Sequence, residues 1–328
     1  MRKFLILTVI PLLIGCHSSQ SLPKGFSYAE RKVSAYKGKI VSLSVDSKQM
    51  GHPLQVDIWL PPTYNTSSKP FPVLYMHDGQ NIFDNNITWN HQSWNVDSVL
   101  VTLSDSIPIP VVVGIYCEES RFKDYLPANY IEALKTRLKT INNYFSDKLE
   151  RDDAYNHYID SVVKPFLRNS EDPDDISCNS QQYIDFIVNT LKPFIDSAYN
   201  VCSDRDHTYI MGSSMGALVS VYAIQYRPDV FGTAMGLSYP AWTEFWEIQK
   251  GTWDTYAKQP NVSQIYIDNG TGMLDSSFFP QFLEIEPIMR QNGWDKEHFT
   301  VRIFPNADHT ENAWMDRLHI PILWAFSK

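Results

Sequence analysis

The sequence predicts an α/β domain built on a mainly parallel sheet, with an antiparallel N-terminal edge and helices on both faces. Three observations predict it. Short, continuous apolar runs recur along the chain, as strands buried on both faces require. Segments of helical periodicity separate most of these runs, which is the connection that parallel strands need. The first two runs, 41–45 and 54–60, have only a turn around Met50-Gly51 between them and so form an antiparallel edge. A chain of 328 residues, 43% of them hydrophobic, is long enough for one large domain of this class. A net charge of −9 excludes general affinity for nucleic-acid phosphates. No apolar run reaches the ~20 residues of a membrane-spanning helix.

The N-terminal residues read as an address. Arg2 and Lys3 precede a stretch, 4–13, that is apolar apart from Thr8 and Pro11, and Leu13-Ile14-Gly15-Cys16 ends it. That is the layout of an export signal over 1–15. A small residue followed by Cys resembles the lipobox of bacterial lipoproteins and implies that Cys16 is the acylated first residue of the mature chain. The competing reading is a buried strand with a chance cysteine. Residues 16–35 then form a lipidated tether and 36–328 the folded domain. The expected location is the bacterial cell envelope, periplasmic or at the surface, with the lipid in the membrane and the body in water.

After the two edge strands, Pro61-Pro62 stops the second. The run 72–76 leads into His77-Asp78-Gly79, and 110–115 is a second buried strand. Between them, Val96, Val99, Leu100 and Leu103 give 94–103 helical spacing. Ile131, Leu134, Leu138, Ile141 and Phe145 recur at steps of three and four, and 155–167 continues the pattern. An acidic loop, 170–179, follows. Residues 127–180 thus read as a helical insertion, either a lid or a decorating hairpin. A helix over 181–197 would be ~24 Å long, whereas a disulfide needs its Cα atoms within about 7 Å, so no Cys178–Cys202 bond is expected. Strands at 207–211, 233–237, 264–267 and 299–304 alternate with helices at 215–226 and 278–291. A last helix, 312–326, breaks at Pro321.

Gly212-Ser213-Ser214-Met215-Gly216 fits G-x-S-x-G, follows an apolar run and precedes a helical pattern. That is the setting of a nucleophile elbow, where glycines permit a turn tight enough to strain the central residue. Ser214 is the candidate nucleophile. A serine hydroxyl needs a base, and His309 follows the last strand in the loop Pro305-Asn306-Ala307-Asp308-His309. His77 is its rival. The base needs a carboxylate to fix its tautomer. Asp275, farther along the loop after 264–267, is preferred, and Asp268 at the strand end is the alternative. The order Ser, Asp, His is the one expected of α/β-hydrolases. Two N–H donors are needed for an oxyanion, and Met215 and Gln80 are the candidates. Tyr239, Trp242, Phe245, Trp246, Trp253 and Tyr256 crowd one stretch. Trp242 and Trp246 are read as pocket walls, against a competing reading of ordinary packing. Arg121 is a candidate grip for an acidic substrate, against a salt-bridged alternative. Metal-ligand spacings and phosphate-binding glycine loops are absent from the sequence, so no metal or other cofactor is expected.

At these residues the chain resembles the Putative esterase family of α/β-hydrolases, which holds esterase D, feruloyl esterases and enterochelin-esterase-like proteins. The resemblance rests on 75–84 (Tyr75-Met76-His77-Asp78-Gly79-Gln80-Asn81-Ile82-Phe83-Asp84), Val113-Gly114-Ile115, Arg121 with Asp124-Tyr125, 191–196, Gly212 to Gly216, and 309–314. It implies one α/β-hydrolase domain, cofactor-free hydrolysis of a carboxylic ester, and catalytic roles for Ser214 and His309. Expected substrates are esters of aromatic acids, acetylated sugars or siderophore lactones. Transfer of the acyl group to a sugar or lipid alcohol, and a non-catalytic binding lipoprotein of the same fold, are the alternatives. The 127–180 segment is longer than the family's, and extra residues follow Gly270-Thr271.

Overall fold

The computed structural model describes residues 22–88, 90–117, 121–136, 177–260 and 263–327. The stretch read as an export signal (1–15), Cys16 and most of the stretch read as a helical insertion (137–176) lie outside the described residues.

Nine strands form one sheet in the order β1-β2-β3-β5-β4-β6-β7-β8-β9. β1 (Phe26–Tyr28), β2 (Lys39–Asp46) and β3 (Pro53–Leu60) make the antiparallel edge, and β3 joins β5 (Val111–Ile115) antiparallel. From β5 onward the sheet is parallel through β4 (Val73–Met76), β6 (Thr208–Ser213), β7 (Thr233–Leu237), β8 (Gln264–Gly270) and β9 (Phe299–Phe304). The carboxyl ends of these six strands therefore share one rim, and the loops that follow them meet there. The expected mainly parallel sheet with an antiparallel N-terminal edge is the one observed.

The period-two geometry of the strands builds two cores. Tyr75, Ile210 and Ala234 face one side, with Ile184, Ala217, Trp253 and Phe282. Leu74, Met76, Met211 and Met235 face the other, with Val96, Leu100, Trp314 and Ile322. The first face is covered by α3 (Ser180–Phe186), a π turn (Ile187–Leu191), α4 (Lys192–Ala198), α5 (Met215–Tyr226), α6 (Trp246–Ala257) and α7 (Asp275–Gln291). The second is covered by α1 (Val96–Thr102), α8 (Glu311–Arg317) and α9 (His319–Phe326). The short α2 (Arg121–Tyr125) follows the β5 loop. No helix among the described residues is long and apolar enough to cross a membrane.

Three differences from the sequence reading have physical causes. β1 falls inside the stretch read as tether, and Phe26 stacks on Phe194 at 4.3 Å, so the folded body begins before residue 36. Three residues are too few to show a period. The helix expected over 312–326 breaks after Arg317, between α8 and α9, rather than at Pro321. A proline ring crowds the carbonyl four residues back, which here is that of Arg317. Finally, α7 begins at Asp275, three residues earlier than the apolar pattern suggested.

Candidate active site

Ser214 sits between β6 and α5 with φ 56° and ψ −124°, a conformation rare for a side-chain-bearing residue. Neighbouring backbone holds it there. Its N–H donates to the Leu237 carbonyl at 2.9 Å, and its carbonyl accepts from the Ala217 N–H at 2.9 Å. The flanking glycines are required by contact. A Cβ on Gly212 would lie 2.7–2.9 Å from the Gly216 backbone, which cannot swing away. A Cβ on Gly216 would press on the Asp78 carboxylate at 3.3 Å and on the His77 Cβ at 3.4 Å. The elbow thus closes on itself and on the loop after β4.

His309 and Asp275 meet at the same rim. The His309 Nδ1 lies 2.5 Å from the Asp275 Oδ1, and the other carboxylate oxygen accepts from the Ser238 hydroxyl (2.6 Å) and the Gly270 N–H (2.9 Å). Asp275 is fully buried. Burial alone would raise its pKa, but the hydrogen bonds from His309, Ser238 and Gly270 outweigh it and hold the carboxyl below its ordinary range. Edge-on contacts with Trp314 (5.1 Å) and Phe278 (5.9 Å) wall the imidazole.

Asp268, the other acid left open by the sequence, is committed elsewhere. Its Oδ1 accepts from the Arg317 Nη2 (3.0 Å) and the Ser238 N–H (2.9 Å), and its Oδ2 from the Tyr266 hydroxyl (3.1 Å). Burial pushes its carboxyl up, with the Arg317 charge opposing. Of the two, Asp275 reaches the histidine.

The loop after β4 carries the second group of candidates. Asp78 has φ 55° and precedes a 3-10 turn, Gly79–Asn81. A Cβ on Gly79 would lie 2.6 Å from the Gly114 backbone, so only glycine fits against β5. The Gln80 side chain is tied to Cys117 at both ends, Nε2 donating to Sγ (2.7 Å) and Oε1 accepting from the Cys117 N–H (3.2 Å). What Gln80 offers a ligand is therefore its main chain. The first N–H groups of a helical turn have no acceptor within it, and Gln80 and Met215 both stand at such starts.

For Arg121, read as a candidate substrate grip or as a salt-bridged residue, the structure gives the second: Nε and Nη2 each donate to the Asp78 carboxylate at 2.8 Å, and the guanidinium lies 5.2 Å from the centre of the Tyr125 ring. Burial opposes ionisation of Asp78, and the Arg121 charge and hydrogen bonds reverse that effect, lowering its pKa. His77, the rival base, is buried with Nδ1 2.8 Å from the Tyr183 hydroxyl. Burial brings its pKa down to about 3, so the ring is neutral.

The aromatic stretch divides in two. Tyr239, Trp246, Trp253 and Tyr256 are buried in the core, and for them packing is the account. Trp242 and Phe245 are half-buried. Trp242 stands edge-on to Phe278 at 6.5 Å, and Phe278 in turn touches His309, so Trp242 adjoins the acid–base pair while Trp246 does not line it by any ring contact in the described residues. Phe278, Trp314 and Ser238 escaped the site reading of the sequence. Trp314 stood in the 309–314 motif that carries the family resemblance, whereas Ser238 had only its place just after a strand to mark it.

Among the described residues, Cys202, Asp204 and His207 are the grouping with metal-ligand side chains. They precede β6, at the rim opposite Ser214. There Asp204 caps a 3-10 turn and lies 2.8 Å from the His207 Nδ1. Asp295 and His298 repeat the same pairing and spacing ahead of β9, also at 2.8 Å. The pairing is a device for starting a strand.

Comparison with known proteins bears on the fold and the family. The curated protein YbbA of Bacillus subtilis (strain 168), itself uncharacterized, is 21% identical over 277 residues, spanning 83% of this chain and 92% of its own. An IroE-like serine hydrolase from Shewanella oneidensis superposes with a TM-score of 0.62 at 17% identity, covering 88% of this chain and 79% of that one. A ferulic acid esterase gives 0.57 at 15% identity, over 89% of this chain and 99% of that one. At such identities these likenesses establish the fold, an α/β hydrolase. The family model described as Putative esterase matches residues 47–172 and 139–319. That match, which spans Ser214, Asp275 and His309 alike, means that the chain belongs to the Putative esterase family.

Proposed function

We propose that this protein is a serine carboxylic-ester hydrolase working through Ser214, His309 and Asp275. The observation that carries the reading is the 2.5 Å contact between His309 and a buried, ionised Asp275 at the rim where the strained Ser214 emerges. In this reading Asp275 accepts from the Nδ1–H of His309, which leaves Nε2 unprotonated and able to take the Ser214 proton. The serine oxygen adds to the ester carbonyl, and the main-chain N–H groups of Met215 and Gln80 receive the developing oxyanion. His309 returns the proton to the departing alcohol. Water then attacks the acyl-serine by the same route and releases the acid. Trp242 and Phe278 would flank a flat or apolar acyl group, which is consistent with the ferulic acid esterase among the structural neighbours.

The test is covalent. A fluorophosphonate probe is expected to label the soluble chain at a single serine, and peptide mapping should place the adduct on Ser214. Labelling that persists undiminished in Ser214→Ala would remove the serine mechanism. Export and lipidation at Cys16 belong to the same proposal, supported by the signal-like pattern of residues 1–16. Radiolabelled palmitate should enter the full-length chain in a bacterial host and be absent from Cys16→Ala; equal incorporation by both would sink the anchor.

A further inference from the structure

Ser238, immediately after β7, is fully buried and has φ 47°. Its hydroxyl has three neighbours: the Asp275 Oδ2 at 2.6 Å, the Trp314 Nε1 at 2.9 Å and the Arg317 Nη2 at 2.8 Å. An indole N–H and a guanidinium can only donate. They occupy the two lone pairs of the hydroxyl oxygen, so its single proton has to face Asp275. The direction of this rotor is set by the chemistry of its neighbours. Arg317 is in turn neutralised by Asp268, which also accepts the Ser238 N–H. One serine therefore joins the two carboxylates that the sequence left as rivals. Trp314 touches both members of the arrangement, donating to Ser238 and standing edge-on to His309.

We propose that Ser238 is a positioning residue: with Trp314 and Arg317 orienting its hydroxyl, it holds Asp275 as a carboxylate turned toward His309. The proposal rests on the assignment of Asp275 to the acid–base pair made above. Without the hydroxyl, the Gly270 N–H is left as the donor to Oδ2 in a fully buried setting. Burial disfavours the charged carboxylate, so each donor removed raises the pH at which Asp275 takes a proton.

Two variants separate positioning from stability. Ser238→Ala removes the hydroxyl and keeps a Cβ at positive φ; Ser238→Gly removes both, and glycine tolerates that backbone best. Each is expected to lose about tenfold in kcat with KM little changed. A purely structural role predicts instead that the rate follows thermal stability, with Ser238→Gly recovering. A second readout is independent of turnover: carbon-13 carboxyl resonances of labelled aspartate, with Asp275 assigned through Asp275→Asn. Its titration should move up by roughly half a unit or more in both variants. An unmoved titration overturns the proposal even where Ser214→Ala abolishes hydrolysis. A moved titration in a chain that cleaves no ester supports Ser238 and defeats the esterase reading.

Discussion

Replacing Ser214 with alanine is expected to lower kcat on a short-chain p-nitrophenyl ester by about 10⁶-fold, or roughly 8 kcal/mol of transition-state stabilisation. The magnitude follows from the elbow. Its backbone positions one hydroxyl at the start of α5, and no neighbour can stand in for it. Ser213 is the adjacent hydroxyl, yet it is buried in the last position of β6. What remains in the variant is the residual stabilisation from the oxyanion donors and from binding, which water exploits slowly. The protein should keep its fold, because the lost group makes no hydrogen bond on which the elbow's backbone depends. The measurement is turnover by purified soluble protein with matched circular dichroism. Turnover within tenfold of the unaltered chain would end the case for Ser214.

Asp275→Asn is expected to cost about 10⁴-fold in kcat at neutral pH, ~5 kcal/mol. The amide removes the charge and also presents an N–H₂ where His309 needs an acceptor. If that amide donates to Nδ1, the imidazole proton is driven to Nε2, the atom that must receive the Ser214 proton. The contrasting variant is Asp268→Asn. It leaves Arg317 buried with its ion pair broken, a loss of ~3–5 kcal/mol in folding stability, but the Asp275–His309 contact survives. Its kcat, measured below its lowered melting temperature, should fall by no more than about tenfold. A reversal, with Asp268→Asn the more damaging to rate, would reassign the acid.

The contrast between these two carboxylates shows where the sequence stopped being legible. The elbow could be read because its requirement is local: Gly212 and Gly216 face each other across five residues, and the strand and helix that flank them are periodic. His309 could be placed because a loop after a parallel strand must open at the same rim as the elbow. Asp268 and Asp275 could not be separated with certainty, because what separates them comes from Arg317, far along the chain, which claims the first and leaves the second for His309. Ser238 was invisible for a like reason. Its role arises from side chains on α7 and α8 that converge on one oxygen, and serine after a strand is common. Packing also took most of the aromatic stretch: the density of rings between Tyr239 and Tyr256 signals a core, and Trp242 stands out only once Phe278 is seen beside His309. The ion pair that absorbs Arg121 is likewise tertiary, since Asp78 lies 43 residues away.

The little room that Asp78 and His77 leave for a Cβ at position 216 has a consequence for how this scaffold can change. The Ser214 elbow and the 77–81 loop are fitted against each other, with Arg121 bolting the second in place through Asp78, so neither can be redrawn without the other. On the proposed mechanism, a library that randomises the half-buried Trp242 and Phe245 is expected to retune which acyl groups are accepted while leaving Phe278 against His309 and the reacting atoms in register, whereas grafting a foreign 77–81 loop would dismantle the machine it was meant to redirect.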